Sequence, residues 1–193
     1  MRSLVTTFVL GYHGCEAAVA KRLVSGQPFK PSDNDYDWLG PGVYFWEANP
    51  LRALEFAQEL KAAQWRKPLK QPAVVGAVIE LGECLDATTA SGAGQISEAF
   101  KAYEKLNRQA GTPLASNSPD LLRRNLDCAV IRTLHGIREN AGGTSLDTLR
   151  GVFVEGKPLY AGPGFYAKTH IQLCVRNFEC IKVVFYVPNQ HLE

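Results

Sequence analysis

No apolar stretch in this chain approaches the roughly 20 residues that carry a helix across a bilayer, so a helical membrane protein is not expected. Charge of one sign is also missing. A net charge of +2 and a pI near 8.3 are too mild to announce a nucleic-acid surface. The five cysteines, Cys15, Cys84, Cys128, Cys174 and Cys180, form an odd set without a CxxC pair and with mostly apolar neighbours. That pattern argues against a disulfide framework and a zinc site, and it suits buried thiols in a reducing compartment. His13, His135, His170 and His191 show no ligand spacing with one another or with Cys and carboxylates, which disfavours a metal enzyme. Repeats, linkers and low-complexity tracts are absent. The short apolar run at the start meets Tyr12-His13-Gly14 where a signal peptide needs small residues, so a cytoplasmic location is expected.

What is present is ordinary globular material: 193 residues, 46% hydrophobic and 21% charged, enough to bury one core as a single domain spanning 1–193. Thr6 to Gly11 reads as a buried strand ending in Tyr12-His13-Gly14, followed by a helical pattern from Glu16 to Val24 closed by Gly26. A polar, aromatic-studded loop, KPSDNDYDWLGPG, leads into a short strand from Val43 to Trp46. Asn49 as cap and Pro50 at the first helical position predict a helix to about Trp65. Ala73 to Leu81 is apolar and β-branched, as a strand covered on both faces must be. Helices are predicted over about Ser97 to Gln109 and, capped by Ser118, over Pro119 to Glu139, with a short helix near Leu146. Strands follow at Gly151 to Val154, Ile171 to Val175 and Cys180 to Val187. The fold class is α+β, with the helices inserted into one mixed domain.

Three segments stand out chemically. Tyr12-His13-Gly14-Cys15 sets a histidine at a predicted strand end, beside a glycine that lets a ligand approach the backbone. Leu39-Gly40-Pro41-Gly42-Val43-Tyr44-Phe45-Trp46-Glu47 joins two glycines to a strand with three successive aromatics. Alternation points Tyr44 and Trp46 one way and Phe45 the other. Thr169-His170-Ile171-Gln172-Leu173-Cys174-Val175 puts Gln172 between apolar neighbours, where a polar group needs a partner. Gly40-Pro41-Gly42 leads into a strand rather than a helix, which disfavours a Rossmann dehydrogenase.

His-Gly closing the first strand, Gly-x-Gly-Val-Tyr-Phe, and a polar residue opening a late strand resemble the three motifs of poly(ADP-ribose)-polymerase-like, diphtheria-toxin-type ADP-ribosyltransferases. The resemblance implies a split mixed β-sheet core with surrounding helices, and NAD as co-substrate with no metal. It implies that His13 holds the adenosine-ribose hydroxyl, that the Gly14 backbone holds the nicotinamide amide, and that Tyr44 packs beside the nicotinamide. The family's second aromatic corresponds to Phe56, although strict counting lands on Glu55. Its loop over the donor corresponds to Lys30 to Leu39, which makes Tyr36 and Trp38 candidates to cover the dinucleotide.

The departure from the family lies at Gln172, where the family has a Glu that accepts a hydrogen bond from the nicotinamide-ribose hydroxyl. Gln keeps a hydrogen bond and loses the charge. Positive charge develops on the ribose as nicotinamide leaves, and a carboxylate would stabilise it. Single transfer or slow hydrolysis of NAD is therefore expected rather than chain elongation. Glu47, Glu55 and Glu155 are candidates to stand in, and each reads more readily as a solvated surface acid.

The loop Gly156 to Thr169 precedes Gln172 and carries Tyr160, Phe165 and Tyr166 with Lys157 and Lys168. Rings with cations grip either a protein surface or nucleic-acid bases, so the macromolecular acceptor is open between the two. By analogy, a free-standing transferase of this kind resembles bacterial or phage toxins, and an antitoxin or inhibitor protein would then be a partner. Two rivals remain: a module that binds NAD or ADP-ribose without turning it over, and an RNA 2′-phosphotransferase-like enzyme, for which the motif region is poor in arginine.

Overall fold

The structure, a computed structural model, describes residues 8–62, 69–162 and 164–193. Its core is one seven-stranded mixed sheet with four α-helices. In chain order the elements are β1 (Phe8–Glu16), α1 (Ala17–Val24), β2 (Val43–Glu47), α2 (Pro50–Ala62), β3 (Pro72–Glu80), β4 (Cys84–Asp86), α3 (Ala90–Ala110), α4 (Asn125–Asn140), β5 (Thr148–Phe153), β6 (His170–Val175) and β7 (Ile181–Tyr186). The strands lie side by side as β4-β5-β6-β2-β1-β3-β7, and only the β4–β5 pair is parallel. The expected α+β class therefore holds. None of the described helices is long and apolar enough to cross a membrane.

Strand alternation sorts the core onto two faces of the sheet. On one face α1 packs Ala20 and Leu23 against Val43, Phe45, Val75, Ile79 and Leu173. Phe45 is completely buried there, worth about 1.5–3 kcal/mol relative to an exposed ring. On the other face, α4 and Leu39 cover Leu149 and Cys174, while α2 lays Ala53 over Trp46 and Val74. The register joins Tyr12 to Trp46, Trp46 to Gln172 and Gly151 to Gln172, so these four side positions share the α2 face.

The two central strands part early. β1 pairs with β3 along its whole length, from Phe8 to Glu16, but with β2 only at Gly11 and Tyr12. Beyond Tyr12 a split opens between the halves β4-β5-β6-β2 and β1-β3-β7.

Several boundaries differ from the sequence reading. β1 does not end at Gly11 but runs on to Glu16, which makes His13 an interior strand residue. Thr6 and Thr7, and the predicted helical residues from 63 to Trp65, lie outside the described residues. α2 does begin as expected, with the Asn49 side chain accepting the Arg52 N–H at 3.0 Å. α3 starts at Ala90, seven residues before Ser97, with the Thr89 hydroxyl accepting the Gly92 N–H at 3.0 Å. Its first turns are small residues without periodicity. Gly92 lies against the Asp86 carbonyl where a side chain would collide, so close packing rather than amphipathicity sets that end. α4 starts at Asn125 rather than Pro119: Ser118 closes a loop with Arg123 (Ser118 N–H to Arg123 O, 2.8 Å), and Leu121 takes φ +56°. Asn117 supplies the cap, accepting the Leu126 N–H at 2.9 Å. No helix forms at Leu146; the chain there enters β5, which starts at Thr148 and pairs with β4, a strand the sequence did not announce.

Candidate functional site

Gly14 sits where β1 leaves β2. Ala48 donates its N–H to the Leu10 carbonyl at 2.8 Å, so the main chain of Leu10 faces β2; by alternation that of Tyr12 and Gly14 does too. The ladder stops at Tyr12, which leaves the N–H and C=O of Gly14 turned into the split without a strand partner. Its missing side chain has a second reason, because a Cβ would collide with the Ala53 carbonyl oxygen of α2. The glycine thus lets α2 approach the backbone.

His13 reaches across the same gap. Its Nδ1–H donates to the Tyr44 carbonyl at 2.9 Å, and the ring rests against Phe29 and Phe45 at centroid distances of 5.5 and 5.7 Å. Burial lowers its pKa, partly offset by the hydrogen bond to Tyr44, so the neutral tautomer keeps a lone pair on Nε2. That atom has no partner among the described residues. The side chain leaves from the Phe45 face, opposite to Tyr44 and Gln172, so the three motif side chains do not converge on one face of the sheet.

Tyr44 is committed locally. Its hydroxyl donates to the Gly40 carbonyl at 2.7 Å and accepts the Leu39 N–H at 3.1 Å, closing the turn in which Gly40 holds φ +77°. Burial raises its pKa well above the ordinary tyrosine value. Phe56, not the exposed Glu55, faces the sheet and packs on Trp46 at 4.8 Å.

Gln172 has the partner that its apolar setting demands. The Trp38 indole N–H donates to Gln172 Oε1 at 2.5 Å, across 134 residues of chain. Trp38 lies over Gly151, and the Arg124 guanidinium stands 4.8 Å from the Trp38 ring and 4.1 Å from Phe153. From there aromatic rings run on without a gap: Trp38, Phe153, His170, Trp46 and Phe56 follow one another at 4.8–5.9 Å. Tyr36 stands apart, half-buried beneath Arg123 at 5.5 Å.

The three acids weighed as stand-ins are spoken for or remote. Glu47 forms a two-pronged pair with Arg150 at 2.7 and 2.9 Å, and Asp86 joins it. Glu155 takes Arg52 Nη2 on both oxygens at 2.9 Å. Each is 15% exposed, so neither is the solvated surface acid expected of it. Glu55 does lie on the exposed side of α2.

Arg52 belongs to a buried cluster that sequence reasoning missed. Only 4% exposed, it gathers Glu155 and Glu59, while Lys168 reaches Glu59 at 2.6 Å. Both feet of the loop Gly156 to Thr169 are thereby held on α2. Between them Leu159 N–H meets Phe165 O at 3.2 Å and Ala167 N–H meets Lys157 O at 3.0 Å, so the loop folds back on itself. At its tip Leu159, Tyr160 and Phe165 are 60%, 56% and 66% exposed, and Tyr166 is half-buried.

A cavity of about 410 Å³ opens between Trp38, Leu39 and the helices α3 and α4, lined by Ile96, Phe100, Arg124 and Ile131. Of the residues singled out by sequence, Trp38 alone lines it. Among the described residues no group of three or more metal-binding side chains is assembled. No protein-family model, curated protein sequence or solved structure matches this chain.

Proposed function

We propose that the protein is a mono-ADP-ribosyltransferase that cleaves NAD and transfers one ADP-ribose to a macromolecular acceptor, built on an ADP-ribosyltransferase-like split sheet. The observation that carries this reading is the placement of the three motif strands side by side, β6-β2-β1, with the split between β1 and β2 at Gly14. An outward N–H and C=O on one residue match a primary carboxamide: the amide oxygen of nicotinamide accepts from Gly14 N–H, and its NH2 donates to Gly14 O. His13 Nε2 accepts from a ribose hydroxyl, and Trp38 with Arg124 supplies an aromatic and cationic wall for the dinucleotide. Gln172 stands on the neighbouring strand for the nicotinamide ribose.

The reaction is displacement at the anomeric carbon: the glycosidic bond to nicotinamide breaks, its electrons leave with the ring nitrogen, and an acceptor lone pair forms the new bond. With Gln at position 172, and Glu47 and Glu155 held by arginines, none of these three positions offers a free carboxylate to the developing cation. Turnover is slow and stops after one unit. The exposed rings of Tyr160 and Phe165 hold the acceptor, because their loop runs directly into the strand of Gln172. The same absence of charge supports one rival, a module that binds NAD without cleaving it.

Calorimetric titration with NAD tests the site. Wild type binds, and His13→Ala loses binding by at least about tenfold, the cost of one buried hydrogen bond. Undiminished affinity in that variant would remove His13 from the site.

A further inference from the structure

Tryptophan carries one polar atom, a donor, so whichever amide atom of Gln172 meets the Trp38 indole must be the oxygen. This removes the ambiguity that usually attends a glutamine amide. With Oε1 turned to Trp38, the other end, Nε2, points away from it. Among the described residues Nε2 has no hydrogen-bond partner, and Gln172 is only half-buried, so this atom is not sealed from solvent. It is therefore open to a ligand. We infer that Trp38 is a positioning residue that locks Gln172 with its NH2 toward the ligand, so that the site presents a hydrogen-bond donor where a carboxylate would present an acceptor.

The lock is well supported. Trp38 is held over Gly151, where a side chain would collide with the ring, and is flanked by Phe153 and Arg124. Turning the amide over would set NH2 against N–H and strand the indole donor beside buried neighbours, at the cost of an unmade hydrogen bond. The inference rests on the NAD reading above and sharpens it. At the nicotinamide ribose the 2′ position must act as acceptor toward Gln172, and the positive end of the amide dipole faces the carbon on which positive charge develops. Binding survives this arrangement while bond cleavage is slowed.

The test uses NAD and its 2′-fluoro analogue on the nicotinamide ribose, in which fluorine accepts weakly and cannot donate. Wild type should bind the two within about threefold, whereas Gln172→Glu, which needs a hydroxyl donor, should lose at least about tenfold on the analogue. Trp38→Phe frees the amide to turn, and a preference for the hydroxyl should appear without a change at position 172. A wild type that already rejects the analogue tenfold, or a Trp38→Phe variant that keeps the wild-type ratio, overturns the inference. If NAD binds no variant at all, the NAD reading fails, and nuclear magnetic resonance decides the lock alone. The Trp38 indole N–H, which loses its acceptor, should then shift on Gln172→Met by more than that of Trp46, the cross-strand neighbour of Gln172, and an unmoved Trp38 signal would contradict it.

Discussion

Gly14 is needed twice over, by the helix above it and by the split beside it. The atom a side chain would strike is the backbone carbonyl oxygen of Ala53, which cannot step aside without moving α2. Gly14→Ala should cost about 1–3 kcal/mol in urea denaturation, the usual penalty of overpacking. A change within 0.5 kcal/mol would mean that α2 is free to shift. His135 is a second residue with a measurable consequence. Arg176 donates to its Nδ1 at 2.8 Å, and burial together with Arg176, Arg138 and Arg132 pushes its pKa down to about 4. The unfolded chain takes up this proton near pH 6.5 and the folded one only near 4, so stability is full above pH 6.5 and falls as pH drops through that window. Burial shifts His13 and His170 the same way. The urea midpoint should decline from pH 6.5 toward 4, less steeply in His135→Gln; equal slopes would contradict the assignment.

Among the elements, α2 does most to organise the site: its Ala53 and Phe56 cover the sheet, and its Arg52 and Glu59 hold both feet of the loop before β6. Arg52→Met would leave Glu155, only 15% exposed, without its arginine partner. A loss on the order of 3 kcal/mol is expected, with faster hydrogen exchange in Gly156 to Thr169. A loss below about 1 kcal/mol would show that the cluster is not a clamp. This cluster was not legible in the sequence, where Arg52, Glu59, Glu155 and Lys168 each look like ordinary surface charges and lie up to 116 positions apart by number. The strands of the centre were legible because alternation or continuous apolar character marks them locally. The starts of α3 and α4 were not, since Gly92 packing under Asp86 and the φ +56° of Leu121 are decided by tertiary contacts. The β4–β5 pair joins residues some 60 positions apart and leaves no local trace. Of the site itself, the sequence identified Trp38 and Gln172 separately, but their hydrogen bond and the opposite facing of His13 required the register.

For the whole molecule, the sheet brings the three motif strands together and opens between two of them, and an aromatic-tipped loop stands beside the same strands. If that loop receives the acceptor, Tyr160→Ala and Phe165→Ala should lower transfer to the target at least about tenfold while leaving NAD affinity within twofold, as expected of exposed anchoring rings. Parallel losses of both would place the loop in the donor site instead. Expression in bacteria offers a coarser reading: growth arrest by wild type, relieved in Gln172→Ala and in the loop variants, fits a toxin checked by a partner protein. Cleavage of the nicotinamide bond is tested by incubating the purified protein with NAD labelled in both halves. Slow release of free nicotinamide is expected, with mass spectrometry finding one ADP-ribose per modified site, and faster release by Gln172→Glu. Tight binding of NAD with no nicotinamide released by either protein, or long chains on the target, would contradict it.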